Sequence, residues 1–477
     1  MRHLAVPLAI IVVTATLCTA RPTYDPDLFW HLAQGREVLA GHLIHTNQFS
    51  ATTAAYPQYY TSWMFEAAMA GLDRLMGLGA VQVAQGVLVA AALLALYASA
   101  RVRSSRAASV AALLLSVWVI ETRVMPRPYL VSWLGLSLCA YAIERWTALR
   151  PPRLAWLLAL ILVWANMHAE VVFGVAAIGI FGLAEFVRPS VIPRRAAAQV
   201  VFVAALCVVM TLGSPYGAGV WRYLFDNIGV PAVLRIAELQ APTPQSYPAF
   251  FVYLFALVAL LASQPARLRL SELLLVAVFA TLGLRYIRFM PMIVFVAAPI
   301  VASRLDAMMA KGWDRRAALA TIVAVVAVTA PASPRQMAAA WRVGASAMAP
   351  RELFSRDAVM FARTHDMSGP LFNSMNLGGY ITWALPEARV FQDSRLQAYP
   401  AQHFADILRA SESPEAWRQL VANVDWAMVS LARPNELSGV GKFDVDEWSP
   451  VFRDRAVEIL VRRSGRYGRI AVPAISR

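Results

Sequence analysis

The first residues that could do chemistry form a short acidic stretch near the N-terminus. Asp25, Asp27 and His31 lie close together in the sequence. If a helix begins at Asp25, then Asp27, His31 and Gln34 share one stripe, because helical neighbours recur every three to four residues. A carboxylate on such a stripe can act as a general base that deprotonates an acceptor. We therefore predict Asp27 as the base, oriented by Asp25 and His31.

A structural role is the alternative for both acids. An aspartate followed by proline, as Asp25 is by Pro26, is an ordinary helix start, and Asp27 would then favour the helix dipole. The other side of this helix, which we expect to face lipid or the helix bundle, carries Leu28, Phe29 and Leu32.

Four arginines could hold the phosphate of a leaving group. Arg123 and Arg127 stand in one short loop between apolar runs, and Arg285 and Arg288 stand in another. Guanidinium groups stabilise the negative charge that develops on a departing phosphate. The alternative for each arginine is that it reaches out from a helix end to lipid headgroups.

Further polar groups occur in two other loops. Asn166, His168 and Glu170 lie at the tip of a hairpin between two apolar runs, where hydrogen bonding between helices is the alternative to a functional role. Glu238 lies in a longer loop, and a solvated loop charge is its default interpretation. We keep His168, Glu170 and Glu238 as candidates for acceptor binding or loop function.

The elements that must position these residues are mostly apolar. Of 477 residues, 59% are hydrophobic and 15% charged, which indicates a chain that lies largely in lipid. The net charge of +14 comes from arginines clustered in short loops, so nucleic acid is not an expected partner. Cys18, Cys139 and Cys207 all fall in apolar segments, which indicates neither a disulfide framework nor a metal motif.

About eleven apolar runs approach the length needed to span a bilayer. They lie at residues 4–20, 79–100, 107–121, 128–143, 154–167, 171–187, 196–213, 248–264, 270–284, 289–303 and 317–332. The loops between them alternate in arginine content, and the positive-inside rule assigns the basic set to the cytoplasm. The N-terminus is then inside, whereas residues after 332 and the candidate site residues are outside.

The first apolar run also has features of a cleaved signal peptide, because it follows Arg2 and ends in small residues. We expect it to be retained as the first span, and cleavage is the alternative. The next outward loop, residues 21–78, contains amphipathic stretches around 27–40 and 62–76 that we expect to lie along the membrane surface.

The composition becomes ordinary from about residue 333. Alternating patterns at 426–431 and 457–461 predict strands, and residues 402–410 and 414–422 predict helices. The expected fold is a mainly α membrane protein, a polytopic helical bundle in residues 1–332, followed by a small soluble α/β domain in residues 333–477.

Several segments together carry a family resemblance. Residues 25–36 read DPDLFWHLAQGR, residues 44–50 read IHTNQFS and residues 63–66 read WMFE. This set resembles the first outer loop of GT-C fold glycosyltransferases, a family that includes protein mannosyltransferases and oligosaccharyltransferase catalytic subunits. The segments WANMH at 164–168, SPYG at 214–217 and AELQ at 237–240 are similar to those of a large bacterial group within it.

The C-terminal part shares this resemblance. Residues 371–383 read LFNSMNLGGYITW and residues 390–395 read VFQDSR, a layout similar to the outer domain of oligosaccharyltransferases. The stretch comparable to their acceptor-reading motif, which ends at Tyr380, departs from it, so transfer to asparagine sequons is not expected. Tyr380 and Asp393 remain acceptor candidates. We interpret Gly378 and Gly379 as a loop that allows close backbone approach before a helix carrying Tyr380.

The resemblance implies a polyprenyl- or dolichyl-phosphate sugar as donor, an outer-loop aspartate as base and arginines that bind phosphate. These roles fall here on Asp25 or Asp27, and on Arg285 and Arg288. We prefer Asp27, because Asp25 has a capping role available. A divalent metal, magnesium or manganese, belongs to the oligosaccharyltransferase branch, while many relatives need none.

The sequence therefore predicts a glycosyltransferase of the bacterial inner membrane. It would transfer a sugar from a polyprenyl-phosphate donor to a glycan, lipid or protein acceptor at the outer face. The alternative is a non-catalytic protein of this fold, either a lipid-linked glycan transporter or a scaffold subunit. A transporter should carry ionisable residues near the bilayer midplane, whereas here the polar groups gather at one face.

Overall fold

A computed structural model of the chain describes residues 5–20, 25–58, 61–226, 237–310, 342–432 and 438–470. Helices in the first 310 residues are α1 (Ala5–Thr19), α2 (Asp27–Leu39), α3 (Trp63–Met76), α4 (Leu78–Arg101), α5 (Arg106–Ile120), α6 (Tyr129–Thr147), α7 (Leu154–Ala165), α8 (Val171–Val187), α9 (Arg194–Met210), α10 (Gly219–Asp226), α11 (Pro248–Ala262), α12 (Leu270–Arg285) and α13 (Met292–Met309).

The C-terminal residues alternate helices and strands. In chain order they are α14 (Ala345–Met348), α15 (Arg356–Thr364), β1 (Gly369–Asn373), α16 (Met375–Ala384), β2 (Ala388–Arg389), α17 (Ala401–Glu412), α18 (Pro414–Leu420), β3 (Trp426–Ser430), β4 (Trp448–Arg453) and β5 (Val457–Arg462).

The chain forms two compact units. The helical unit comprises Met1–Arg21 and Val83–Trp341, and the mixed unit comprises Pro22–Gln82 and Arg342–Arg477. The long loop after α1 thus belongs to the same compact unit as the C-terminal residues. The sequence-based boundary at residue 332 lies outside the described residues.

The helical unit is organised around α13. This helix is almost wholly buried and packs against α5, α6, α11 and α12. Each of the first ten predicted apolar runs is covered by a helix, because such runs satisfy their backbone hydrogen bonds internally. The eleventh, residues 317–332, lies outside the described residues.

Two helices among the described residues, α4 and α13, are long and apolar enough to cross a membrane. Four shorter apolar helices, α1, α7, α8 and α11, accompany them. The count of about eleven membrane crossings therefore stays a prediction.

The mixed unit is built on a five-stranded sheet of order β2-β1-β3-β5-β4. Strand β1 pairs in parallel with β2 and β3, whereas β5 pairs antiparallel with β3 and β4. The predicted strands correspond to β3 and β5, and the predicted helices to α17 and α18. The expected α/β character of the C-terminal part is thus confirmed.

Helix α2 belongs to the core of this mixed unit. It packs against α3 and α16, and Leu28, Phe29 and Leu32 are at most 1% exposed. The ring of Phe29 lies 4.9 Å from Phe354 and 5.0 Å from Tyr380. The expectation that this side of the helix faces lipid or the bundle was wrong, because α2 packs within the mixed unit against α3 and α16.

Candidate functional site

The two acids near the N-terminus occupy different environments. Asp25 is fully buried, and its Oδ1 accepts a hydrogen bond from the backbone N–H of Asp27 at 3.0 Å. This turn leads into α2, which begins at Asp27 and not at Asp25. Asp27 is only half-buried, and its Oδ1 accepts a hydrogen bond from the hydroxyl of Ser394.

The segment that carries Ser394 is held by a buried polar network. Asn373 accepts a hydrogen bond from the Phe391 backbone N–H at 2.9 Å through its Oδ1. Asp393 and Arg395 form an ion pair whose side chains are 0% exposed, and Arg395 Nη2 also donates to Asn47 Oδ1 at 2.9 Å. Buried polar groups that are paired in this way fix a backbone firmly, so the Ser394 hydroxyl is well placed toward Asp27.

Close packing brings this segment to the start of α2. Gly378 and Gly379 lie inside α16, so their interpretation as a loop was wrong. A Cβ atom on Gly378 would lie 2.1 Å from the Gln392 carbonyl oxygen, and one on Gly379 would lie 2.6 Å from that of Pro26. The two glycines thus permit the expected close backbone approach within a helix.

A second buried pair is formed by His31 of α2 and Glu66 of α3. His31 Nδ1 is 3.0 Å from Glu66 Oε1, and both side chains are at most 5% exposed. Burial raises the pKa of Glu66 well above its ordinary value, although the charge of Arg395 opposes this rise. The structure thus pairs the predicted orienting residue His31 with an acid on α3.

The two acceptor candidates of the C-terminal part have internal positions. Tyr380 is 3% exposed among aromatic rings, and burial raises its pKa to about 12. Asp393 is fully buried in its ion pair with Arg395. Both side chains are therefore buried inside the mixed unit, and a role of either in acceptor binding stays a prediction.

The helical unit carries a separate cluster of charges. Arg123 Nη2 and Arg127 Nη1 lie 3.0 Å and 3.1 Å from the same oxygen of Glu238. Burial alone would raise the pKa of Glu238, but the guanidinium groups of Arg127, Arg123 and Arg288 lower it to about 2. Glu238 is therefore ionised throughout the physiological pH range, and a solvated loop charge does not describe it.

The cluster continues through the hairpin at residues 166–170. Arg288 Nε lies 3.4 Å from Glu170 Oε1, and Glu170 Oε2 lies 3.4 Å from His168 Nδ1. The same His168 nitrogen is 2.7 Å from the hydroxyl of Ser132, which also accepts a hydrogen bond from Trp164 Nε1 at 3.0 Å. Burial would raise the pKa of Glu170, but His168 and Arg288 lower it below its ordinary value.

Four loops meet in this cluster at one end of the helical unit. The loop after α5 binds Glu238, the hairpin after α7 binds Arg288, and the Ile287 N–H donates to the Gln240 carbonyl oxygen at 2.9 Å. Arg285 has a different environment, because its side chain is exposed and its guanidinium stacks on Tyr286 at 5.6 Å. We call the joined group of Arg123, Arg127, Arg288, Glu170 and Glu238 the arginine cluster.

A metal ion has no evident ligand set in the described part of the chain. There, no group of three or more His, Cys, Asp and Glu side chains is placed to hold one. The divalent metal that the resemblance leaves open, magnesium or manganese, is thus untested, and we derive no chemical step from it.

Solved structures show which fold this arrangement has. The apo crystal structure of the Archaeoglobus fulgidus oligosaccharyltransferase matches with a TM-score of 0.58 and 12% identity, over 90% of this chain and 69% of that chain. The same enzyme tethered with an acceptor peptide containing the NVT sequon gives the same values. This chain has the GT-C fold. The resemblance inferred from the sequence is therefore confirmed.

The GT-C likeness extends to a third structure of the archaeal enzyme, a complex with zinc and sulfate. Its TM-score is 0.53 at 13% identity, over 89% of this chain and 68% of that chain. No protein-family model and no curated protein matches the sequence. At such low identity the GT-C likeness shows the fold, and the chemistry has to be argued from the residues of this chain.

Proposed function

We propose that the protein is a membrane glycosyltransferase that transfers a sugar from a polyprenyl-phosphate donor to an acceptor at the outer face of the membrane. The observation that carries this proposal is the arginine cluster. Three guanidinium groups from two loops gather around two carboxylates at one end of a GT-C helical unit. A departing phosphate needs such a concentration of positive charge.

The cluster has properties that suit phosphate binding. Burial alone would lower the pKa of Arg288, but Tyr223, Glu170 and Glu238 raise it, so this guanidinium stays charged. Its side chain is 28% exposed, which leaves part of the group accessible. The two glutamates hold the arginines in place before a donor arrives, so little reorganisation is needed during the reaction.

Asp27 is the proposed base. In the transfer step an acceptor oxygen or nitrogen bonds to the anomeric carbon, and the bond from that carbon to the phosphate oxygen breaks. The proton of the acceptor passes to Asp27, and the phosphate leaves with the electron pair of the broken bond. Within the helical unit, the arginine cluster is the proposed binding site for such a phosphate. Ser394 and the Asp25 turn would orient the Asp27 carboxylate.

The proposal includes a location. The loops of the arginine cluster are those that the positive-inside rule assigns to the outer side, and their meeting at one end of the helical unit supports that assignment. We therefore propose a multi-pass protein of the bacterial inner membrane, with a cytoplasmic N-terminus and a periplasmic or extracellular C-terminal domain. The acceptor would be a glycan, a lipid or a protein.

The proposal is tested with purified full-length protein in liposomes supplied with polyprenyl-phosphate hexoses and pentoses as donors and with neutral oligosaccharides, lipids and peptides as acceptors. Release of free polyprenyl phosphate together with a glycosylated acceptor is expected for the wild type, and its loss is expected for Asp27→Asn. Movement of intact donor across the bilayer without release of sugar would overturn the proposal in favour of a transporter.

A further inference from the structure

The mixed unit contains a groove between α17, α18 and the loop at residues 51–58. The groove has a volume of about 460 Å³. Small-molecule sites typically enclose about 300–1,000 Å³. Its polar lining includes Thr52, Thr53, Gln402, Asp406, Arg409 and Gln419.

One wall of the groove is fixed by hydrogen bonds. The hydroxyl of Thr53 accepts from Asn47 Nδ2 at 2.9 Å and donates to Ser50 Oγ at 3.1 Å. The hydroxyl of Thr52 donates to the Phe391 carbonyl oxygen at 3.4 Å. A wall that is already ordered costs little entropy when a ligand binds.

The opposite wall offers neutral hydrogen-bonding groups. His403 is 8% exposed and its ring lies 5.0 Å from that of Phe391. Burial lowers the pKa of His403 to about 4, although Asp393 and Asp406 oppose this, so its imidazole is neutral at physiological pH. Its Nε2 makes no hydrogen bond within the part of the chain that the structure describes. His403 is also one of the residues that line the groove.

The charges of the groove offset each other. Asp406 Oδ1 lies 3.4 Å from Arg409 Nη2 and accepts a hydrogen bond from Gln402 Nε2 at 2.7 Å. Such a pair does not favour an anion over a neutral ligand. The remaining polar groups are hydroxyls and amides, each of which can donate and accept hydrogen bonds. This mixture is suited to a ligand that carries many hydroxyl groups and no charge.

A peptide fits this lining less well. Extended peptides are commonly recognised through the open edge of a sheet, and helical peptides through an apolar groove. The lining residues here lie on two helices and on loops, and polar and apolar side chains line the groove in similar measure. Neither mode of peptide recognition matches these features.

We propose that this groove binds a neutral oligosaccharide through its hydroxyl groups. If the protein is the transferase proposed above, on which this step rests, the oligosaccharide is the acceptor. The groove and the proposed base share one segment, because Phe391 lines the groove and Ser394, three residues later, bonds Asp27. That segment is held by the Asp393–Arg395 pair, which keeps the two features in a fixed arrangement within the mixed unit.

The groove is tested by binding, in the absence of any donor. Purified full-length protein is titrated with four neutral tetrasaccharides (maltotetraose, cellotetraose, mannotetraose and chitotetraose), followed by saturation-transfer NMR and calorimetry. We expect saturable binding of at least one. The double variant Gln402→Ala/Gln419→Ala should weaken it about tenfold or more, because each lost hydrogen bond contributes about 1 kcal/mol. Both glutamines are exposed, so the fold should tolerate the change.

Two further variants make the test specific. His403→Phe keeps a ring against Phe391 but removes the imidazole nitrogens, and should also weaken binding. Arg418→Ala changes an exposed residue of α18 outside the groove lining and should leave binding unchanged. Absence of binding for all four sugars, or equal binding by the double variant, would overturn the groove assignment. Displacement of the sugar by an uncharged hexapeptide would replace the oligosaccharide with a peptide.

The result also separates the groove from the proposed catalysis. Asp27→Asn should bind the same sugar with wild-type affinity, because Asp27 is not among the groove residues. Specific sugar binding without any transfer by the wild type would support the groove and contradict the transferase. Transfer by the wild type without specific sugar binding would support the transferase and contradict the groove assignment.

Discussion

The hydroxyl of Ser394 donates a hydrogen bond to Oδ1 of Asp27, although the two residues are 367 positions apart in the sequence. The bond joins the first turn of α2 to the segment after β2. It gives the proposed base a fixed orientation, so the proposed catalysis would require an intact mixed unit.

Ser394→Ala should therefore reduce transfer. The carboxylate of Asp27 would lose a charge-assisted hydrogen bond, and we expect kcat to fall about tenfold. Ser394→Thr keeps the hydroxyl and should restore most of the rate. Equal activity of the alanine and threonine variants in the liposome assay would contradict an orienting role for this hydroxyl.

Arg288 and Arg285 provide a matched pair within one loop. Arg288 belongs to the arginine cluster, whereas Arg285 is exposed and stacks on Tyr286. Arg288→Gln is expected to lower kcat/KM for the lipid-phosphate donor about ten- to hundredfold, because a hydrogen bond to a charged group is lost. Arg285→Gln should have a smaller effect. Donor titrations that give the reverse order would show that the cluster does not bind the phosphate.

Gly379→Ala should disturb the approach of α16 to the start of α2. The added Cβ would lie 2.6 Å from the Pro26 carbonyl oxygen, and overpacking of this kind costs about 1–3 kcal/mol. We expect a lower melting temperature and weaker transfer. The control is Gly71→Ala in α3, where the nearest atom would be 3.9 Å from the new Cβ and the melting temperature should not fall.

The buried acid Glu66 should make stability depend on pH. Burial raises the pKa of Glu66 in the folded state. Its contribution to the free energy of unfolding is therefore fully present below the unfolded-state pKa of about 4.3. This contribution is lost as the pH rises through the folded-state pKa. Glu66→Gln avoids the cost of a buried charge. It should melt at a higher temperature than the wild type near about pH 8, and at nearly the same temperature near about pH 4.

The exposed acid Glu387 serves as the control for this experiment. Glu387→Gln should follow the wild type at both pH values. If Glu66→Gln melts below the wild type near about pH 8, then Glu66 acts as a stabilising anion toward His31, and the burial argument is wrong.

The sequence predicted elements better than it predicted their partners. Apolar runs identify helices because a helix satisfies its own backbone hydrogen bonds, and each run in the described residues became one. The strand β4 was missed, since its pattern contains Pro450 and lies at a sheet edge. Phe29 was predicted to pack against the wrong partners. An apolar helix face predicts that its residues are buried, but it does not show which elements they pack against.

The candidate site was predictable in part. Arg123, Arg127, Arg288, Glu170 and Glu238 were singled out by their loops, and the structure brings them together. Their pairing depends on which loops meet, and spacing along the chain carries no such information.

Other contacts of the site were not predicted. The partners Ser394 and Glu66 are ordinary residues in ordinary positions, and only the fold places them beside Asp27 and His31. The signals in the sequence were the segments of the family resemblance that contain these residues, VFQDSR at 390–395 and WMFE at 63–66.

The most direct test of the account is mass spectrometry of envelope glycans and polyprenyl-linked sugars from the source organism. A strain lacking the gene would be complemented with the wild type, with Asp27→Asn or with the exposed control Asp446→Asn at matched expression. We predict that a glycan disappears and its lipid-linked precursor accumulates in the deletion and Asp27→Asn strains only. Full restoration by Asp27→Asn would contradict the account, make Asp27 structural and favour a transporter or scaffold.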